Sequence, residues 1–220
     1  DVCSSDLGIG GIGMSGLAAI LLSRGIRVSG SDITISFIVE QLIAKGAIIF
    51  KGQAAENVPE DACVIYSSDI KEDNPEFQSA IKKGSRLMHR ADLLAELLKG
   101  YKALAVAGTH GKTTTSSLLS TVLAEAGVDP SFAVGGILPA FQTNARAGKG
   151  EFFVLEADES DRSFLKYHPF GAIITNIDND HLNNYEGNFA LLIDTFKQFM
   201  GFLLLATVVW ILNGLRLGAP

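Results

Sequence analysis

The sequence predicts an α/β protein with two parallel sheets, and three observations lead to this fold class. Short apolar runs alternate with helical stretches, which is the chain order of a parallel sheet whose strands are joined by helices. Two glycine-rich turns, GIGGIG and GTHGK, each open a helix. The composition, 47% hydrophobic and 19% charged residues in a chain of 220, is sufficient for packed cores.

The first predicted domain covers residues 1–100. Its glycine turn is followed by a helix that ends at Gly25. The side chains expected to face the core are Leu17, Ile20, Leu21 and Leu22. The segment RVSGSD then forms a short strand and its turn. The later elements are a helix over residues 37–45, extended segments over 47–50 and 62–67, a helix over 74–83, and an amphipathic helix over 90–99.

The second predicted domain covers residues 101–200, with a boundary somewhere in 98–103. It begins with the apolar run 103–107, which has the continuous hydrophobic character of a parallel strand covered on both faces. A helix follows and ends at Gly127. The later elements are apolar strands over 152–157 and 172–176 and a helix over 189–199.

A phosphate-binding loop lies at the start of this second domain. Its residues are Gly108, Thr109, His110, Gly111, Lys112, Thr113 and Thr114. Glycines let backbone N–H groups curve around a polyanion, and the helix N-terminus adds a partial positive charge. Lys112 is expected to bridge the β- and γ-phosphates of ATP, and the Thr113 hydroxyl to ligate Mg²⁺. The loop departs from the usual GxxxxGK[ST] pattern, because Val106 stands at the first glycine.

Polar residues end the other two strands of this domain. EADESD begins at Glu156, and the strand 172–176 is followed by Asp178, Asp180 and His181. The carboxyl ends of parallel strands share the sheet edge where ligands bind. Two like charges about 4 Å apart repel by roughly 4 kcal/mol at an effective dielectric of 20, so a cation such as the Mg²⁺ of ATP is expected. For His181, a metal or substrate contact and a plain surface role both remain open.

The N-terminal turn has GxGxxG spacing at Gly8, Gly10 and Gly13, and Asp32 follows nineteen residues after Gly13. This pattern is typical of Rossmann-like dinucleotide sites but is weak by itself. A nucleotide-type ligand is therefore expected, and a turn that only packs a helix on a sheet is the alternative. A nicotinamide-dependent oxidoreductase would also fit this turn, but it leaves GTHGKTTT and EADESD unexplained.

Three further polar residues are weaker candidates for ligand contacts. Ser67 and Ser68 end the strand 62–67 and could donate to a ligand at the same sheet edge, although a plain turn explains them equally well. Arg90 opens a helix and could reach an anion, with a solvated or helix-capping role as the alternative.

Charge and composition exclude several classes of function. The net charge is −6 and the basic residues are scattered, which argues against nucleic-acid binding. No signal peptide is expected at the N-terminus, and the apolar run 201–212 is too short to span a bilayer comfortably, so membrane insertion is not expected. Cys63 lies in the apolar run ACVIY and is expected to be a reduced core thiol of a cytoplasmic protein.

Seven motifs in one order resemble the Mur ligase family over about residues 8–200. They are GIGGIGMSGLA, GSD, SSDI with DNP, HRADLLAELL, AGTHGKTTT, EADESD and TNIDNDH. The resemblance implies a Rossmann-like domain for a UDP-sugar, a P-loop-type central ATPase domain that is incomplete here, and a C-terminal domain. It also implies ligation of L-alanine to UDP-N-acetylmuramate through an acyl phosphate, driven by ATP with Mg²⁺, in cytoplasmic peptidoglycan precursor synthesis.

The resemblance also implies roles for particular residues. Lys112 would act on the ATP phosphates, Thr113 and Glu156 would hold one Mg²⁺, and His181 would contact a second divalent ion. The residues expected to contact or border the UDP-sugar are Gly8, Gly10, Gly11, Ile12, Gly13, Met14, Ser31, Asp32, Ser67, Ser68 and Arg90. A ligase that recycles murein peptides onto UDP-N-acetylmuramate and a non-catalytic nucleotide-binding module are the alternatives.

Both ends of the chain depart from the family pattern. Ser4, Ser5 and Asp6 stand where an apolar first strand is expected, and 201–220 form an apolar tail unlike the central domain. We interpret residues 1–7 as atypical and the tail as sequence not native to the family. The polypeptide alone is expected to have little or no ligase activity, and its open sheet edge and tail favour aggregation.

Overall fold

The computed structural model describes residues 3–180, 182–201 and 209–210. The chain divides into two compact units, one formed by residues 1–99 with 136–147 and the other by 100–135 with 148–220. Each unit contains a sheet of parallel strand pairs joined by helices. The predicted α/β fold class is confirmed.

The first unit contains a five-stranded sheet in the order β3-β2-β1-β4-β5. Its elements are β1 (Cys3–Leu7), α1 (Ile12–Ser23), β2 (Arg27–Asp32), α2 (Phe37–Ala44), β3 (Ile48–Lys51), β4 (Ala62–Tyr66), α3 (Pro75–Lys83), β5 (Leu87–His89) and α4 (Arg90–Leu97). All four strand pairs are parallel. This is the strand order of dinucleotide-binding domains, in which the chain changes direction beside β1.

The polar segment at the start of the chain forms the central strand of this sheet. Strand β1 pairs with β2 on one side and β4 on the other. Ser4, Ser5 and Asp6 are all buried there. The Ser4 hydroxyl donates a hydrogen bond to one oxygen of Asp6. Polar side chains therefore occupy the position where the family pattern has an apolar strand.

Residues 14–21 of helix α1 are all buried, so the helix is enclosed by the rest of the first unit along nearly its whole length. Leu17, Ile20 and Leu21 face the core as expected, whereas Leu22 is half-buried. At the other side of the helix, Asn144 Nδ2 donates to the Ile12 carbonyl at 2.5 Å. The contacts of residues 136–147 thus place this segment of the later sequence in the first unit.

The second sheet has the strand order β11-β10-β6-β9-β7-β8. Its elements, with the helices between them, are β6 (Lys102–Ala107), α5 (Lys112–Glu125), β7 (Ser131–Leu138), β8 (Thr143–Arg146), β9 (Phe152–Ala157), β10 (Gly171–Ile174), α6 (Phe189–Gly201) and β11 (Val209–Trp210). The strand that precedes the phosphate loop, β6, lies between β9 and β10. Of the apolar tail, only Gly201 and Val209–Trp210 lie among the described residues.

Among the described strands, four have no counterpart in the sequence predictions. They are β5, β7, β8 and β11. Strand β5 has only three residues, which is shorter than the runs that mark a strand. Strand β7 is long enough, but its two adjacent glycines interrupt the regular pattern. Within the described residues, no helix combines the length and apolar character needed to cross a bilayer.

Candidate functional site

The phosphate loop forms a tight turn between β6 and α5. Gly108 and Gly111 adopt φ values of +126° and +81°, which favour glycine. A Cβ atom on Gly108 would collide with the Thr175 hydroxyl and would lie 2.7 Å from the Asn176 carbonyl oxygen. The close approach of the segment after β10 therefore requires glycine at position 108.

Residues after β10 brace this loop. The Asn176 side chain accepts from the His110 amide at 3.0 Å and donates to the His110 carbonyl at 2.9 Å. The Thr175 hydroxyl donates to the same carbonyl at 2.6 Å. The Thr109 amide donates to the Asn176 carbonyl at 3.0 Å. The loop is held in shape by the neighbouring strand end as well as by its glycines.

Glu156 lies one residue before the end of β9 and faces the start of α5. One oxygen, Oε1, accepts from the Ser116 hydroxyl at 3.0 Å and from the Gly135 amide at 2.8 Å. The other oxygen, Oε2, accepts from the Thr113 hydroxyl at 3.3 Å. The structure therefore brings the two predicted metal ligands Thr113 and Glu156 together. The third, His181, lies outside the described residues.

This arrangement fits a magnesium ion. A carboxylate oxygen and a hydroxyl are the oxygen ligands that Mg²⁺ prefers. A Cβ on Gly135 would lie 2.6 Å from Glu156 Oε2 and 3.1 Å from Thr113 Oγ1, so glycine keeps the space beside both oxygens open. No group of three or more His, Cys, Asp or Glu side chains suited to a metal occurs in the described part of the chain. A metal here would thus need further oxygens, such as those of a nucleotide.

Lys112 is the first residue of α5, and its side chain turns back over the loop. Its Nζ atom donates to the Gly108 carbonyl at 2.7 Å and contacts the two carboxylate oxygens of Glu159 at 3.3 and 3.0 Å. Glu159 is buried, with 1% of its side chain exposed, against 15% for Lys112. This ion pair was not predicted from the sequence.

Several residues that shape the site were not singled out from the sequence, or were named only as part of a longer motif. They are Ser116, Gly135, Glu159 and Thr175. Glu159 lies inside EADESD, but nothing in that motif shows which of its acids turns toward the lysine. Gly135 had a usable signal, because a glycine inside a strand often marks a close approach of another chain segment.

The glycine turn of the first unit is closed by Asp32. The Gly10 amide donates to Asp32 Oδ2 at 2.9 Å, and the Thr34 amide donates to Oδ1 at 3.0 Å. A Cβ on Gly10 would lie 2.8 Å from Asp32 Oδ2, and one on Gly13 would lie 2.9 Å from an Arg90 guanidinium nitrogen. Four predicted residues of the UDP-sugar site therefore converge at this turn.

The other residues predicted to contact the UDP-sugar lie at several places around the turn and the neighbouring strand ends. Gly8 has a φ of +66°, and Gly11 donates its amide to the Gly8 carbonyl. Ile12 is the first residue of α1 and is partly exposed. Ser67 and Ser68 follow β4, and the Ser68 hydroxyl is 3.1 Å from His89 Nε2.

Two predicted side chains lie in the interior of the unit. The Ser31 hydroxyl is buried and donates to Glu76 Oε2 at 2.5 Å. Met14 is buried in α1. A ligand at the surface of the turn would therefore meet the backbone of these two positions before their side chains.

A Rossmann-type sheet with a glycine turn, together with a second sheet that carries a phosphate loop, is the architecture of nucleotide-binding α/β proteins. The chain belongs to the Mur ligase family, whose members are ATP-dependent ligases. The catalytic domain of that family matches residues 5–102, and its middle domain matches residues 106–214.

The chain is similar to proteins named as ligases of UDP-N-acetylmuramate or as MurC enzymes. It is 61% identical over 193 residues to a UDP-N-acetylmuramate–L-alanine ligase of Protochlamydia amoebophila, covering 88% of this chain and 42% of that protein. It is 53% identical to the bifunctional enzyme MurC/Ddl of Chlamydia pneumoniae, with 88% of this chain and 24% of that protein covered. The chain thus spans less than half the length of these relatives.

Two crystal structures share its fold closely. The UDP-N-acetylmuramate-alanine ligase MurC of Thermotoga maritima matches with a TM-score of 0.88 and 32% identity, over 94% of this chain and 49% of that one. The UDP-N-acetylmuramate:L-alanyl-γ-D-glutamyl-meso-diaminopimelate ligase of Neisseria meningitides matches with a TM-score of 0.88 and 29% identity, over 98% of this chain and 72% of that one. The fold alone does not separate these two ligase types.

Proposed function

We propose that this chain is the UDP-sugar-binding and ATP-binding part of a ligase that joins L-alanine to UDP-N-acetylmuramate in peptidoglycan precursor synthesis. The observation that carries the proposal is the phosphate loop whose Thr113 hydroxyl faces Glu156 on the next strand. The 61% identity to a protein named UDP-N-acetylmuramate–L-alanine ligase supports alanine as the amino acid.

In the proposed reaction a carboxylate oxygen of the sugar attacks the γ-phosphorus of ATP, and ADP leaves with the electrons of the broken P–O bond. The amine of alanine then attacks the acyl carbon, inorganic phosphate leaves and the nitrogen loses a proton. Such chemistry depends on position and charge neutralisation. Lys112 and the α5 amides would bind the phosphates, while Thr113 and Glu156 would hold Mg²⁺. The metal supplies positive charge beside the transferred phosphoryl group.

The first unit would hold the sugar nucleotide. At the glycine turn, the Arg90 guanidinium beside Gly13 offers a cation for a phosphate or carboxylate. Asp32 keeps the turn closed through its bond to the Gly10 amide. Gly8–Gly13 backbone atoms, Asp32 and Arg90 are therefore the proposed border of the UDP-sugar.

Calorimetric binding experiments test this proposal on the chain itself. We expect saturable binding of ATP that requires Mg²⁺, and separate binding of UDP-N-acetylmuramate. Titration with NADH should give no binding. Binding of NADH in place of the UDP-sugar would instead support the oxidoreductase alternative and overturn the proposal.

A further inference from the structure

The ammonium group of Lys112 is already saturated with protein acceptors. It has three N–H donors. Four oxygens lie within reach of Nζ: the Gly108 carbonyl at 2.7 Å, the Thr109 carbonyl at 3.4 Å and the two Glu159 oxygens at 3.3 and 3.0 Å. A phosphate oxygen can bond to Lys112 only after it displaces at least one of these acceptors.

Glu159 is held firmly in its buried position. Its carbonyl oxygen accepts from the Tyr185 hydroxyl at 2.5 Å and from the Arg162 amide at 3.0 Å. Tyr185 is itself fully buried, and the Arg162 guanidinium lies 4.7 Å from the centre of its ring. These bonds fix the main chain at Glu159, so its carboxylate can follow Lys112 only within the reach of its own side chain. A buried carboxylate that loses its cation is costly.

We propose that Glu159 is a positioning residue that holds Lys112 in a resting position over the phosphate loop, which a polyphosphate must displace. This inference rests on the proposed ATP site and adds a residue that controls access to it. The contact between Lys112 and Glu159 opposes polyphosphate binding. The free energy lost when Lys112 leaves Glu159 offsets part of the free energy gained when Lys112 bonds to a phosphate. Removing the carboxylate charge should therefore tighten polyphosphate binding.

A first experiment needs no nucleotide. The chain is treated briefly with an amine-reactive ester, and labelling at Lys112 is measured by mass spectrometry, with Lys99, whose side chain is 71% exposed, as the internal reference. We expect Lys112 to be protected in the parent chain. The variant Glu159→Gln keeps the shape of the side chain, and we expect it to raise Lys112 labelling about three- to tenfold, as the loss of one hydrogen bond of ordinary strength predicts. Equal labelling in both would overturn the proposal.

A second experiment measures ATP affinity with Mg²⁺ present. Glu159→Gln is expected to lower the Kd roughly three- to tenfold. AMP, which lacks the β- and γ-phosphates, should show no such gain. Asp158→Asn is the matched control, because it removes a charge one residue away and an amide oxygen can still accept from the Ser160 amide. A similar gain for this control would show a general charge effect and contradict the inference.

A double-mutant cycle isolates the pair. In a Lys112→Met background, Glu159→Gln should no longer improve ATP affinity. An undiminished gain in that background, or a weaker affinity of Glu159→Gln in the parent, would overturn the resting-position role. Failure of the parent chain to bind ATP at all would instead contradict the proposed function, and the labelling result would still decide the inference. Circular dichroism of each variant confirms that it is folded.

Discussion

At the scale of single residues, Asp6 is the least expected feature of the chain. It lies in the centre of a parallel sheet and is fully buried. Burial raises the pKa of its carboxyl group to about 7, while the hydrogen bond from Ser4 opposes part of that rise. Within the described residues its second oxygen, Oδ2, has no hydrogen-bond partner. The folded unit therefore favours the protonated acid.

The raised pKa of Asp6 predicts a pH-dependent stability. The protonated Asp6 carboxyl contributes fully to the free energy of unfolding below its ordinary pKa of 3.8, and this contribution is lost as the pH rises through about 7. Each unit of pKa difference corresponds to about 1.4 kcal/mol. Urea unfolding of the parent and of Asp6→Asn between pH 5 and pH 8 measures this, and only the parent should lose this part of its unfolding free energy. Parallel pH curves for the two proteins would contradict the prediction.

Glu156 gives a second prediction at this scale. Its carboxylate faces the Thr113 hydroxyl, so Glu156→Gln removes the charge that would hold Mg²⁺. We expect the Mg²⁺-dependent part of ATP affinity to fall about tenfold or more, by analogy with loss of a charged hydrogen bond. Calorimetry with and without Mg²⁺ measures the change. The control is Glu151→Gln, one residue before the same strand, whose exposed side chain pairs with Lys102.

At the scale of elements, two glycines set how closely the strand ends approach each other. Gly108 lets the phosphate loop pass beside Thr175, and Gly135 brings β7 against Glu156. Thr175, which follows β10, fills the space that a side chain at position 108 would need, and Glu156 on β9 fills the space at position 135. The site is therefore shaped by the order of strands β10, β6, β9 and β7 across the sheet.

Gly135→Ala tests this packing. The new Cβ would lie 2.6 Å from Glu156 Oε2, so the carboxylate must move away from Thr113. We expect weaker Mg²⁺-dependent ATP binding with the fold retained. Gly171→Ala in β10 is the matched control, because its Cβ meets only the Leu104 Cδ2 atom, at 3.2 Å. Equal ATP affinities for the two variants would argue against a role for Gly135.

The helices were predicted to within a few residues, because periodic apolar positions and end signals are local. Helix α3 illustrates this, since Asn74 caps its start, Pro75 is its first residue and Gly84 ends it in a left-handed conformation. Strand β8 has no such local pattern. Its sequence TNAR is mostly polar, and it is a strand because β7 pairs with it and the fold buries its two central residues.

At the scale of the whole molecule, the two proposed nucleotide sites belong to the two different units of the chain. The glycine turn with Asp32 and Arg90 belongs to the first unit, and the phosphate loop with Glu156 belongs to the second. Each site is built from hydrogen bonds inside its own unit. This separation is what a ligase with two nucleotide substrates needs.

The separation predicts selective losses of binding. Gly10→Ala would bring a Cβ within 2.8 Å of Asp32 and 2.9 Å of the buried Val39, so we expect weaker UDP-N-acetylmuramate binding with unchanged ATP affinity. Lys112→Met should instead weaken ATP binding and leave the affinity for UDP-N-acetylmuramate unchanged. Calorimetry of each variant with both ligands tests this, and a folded Gly10→Ala protein that had lost ATP binding would contradict it.

The sequence by itself determined the α/β fold class, the glycine turn, the phosphate loop and the family, because these depend on local periodicity and short spacings. Only the tertiary structure decided which side chains meet. In the structure Thr113 donates a hydrogen bond to Glu156, Lys112 forms an ion pair with Glu159, and the buried Ser31 hydroxyl donates to Glu76. These contacts join residues 43 to 47 positions apart in the chain. Strand order and register, which no single segment encodes, determine them.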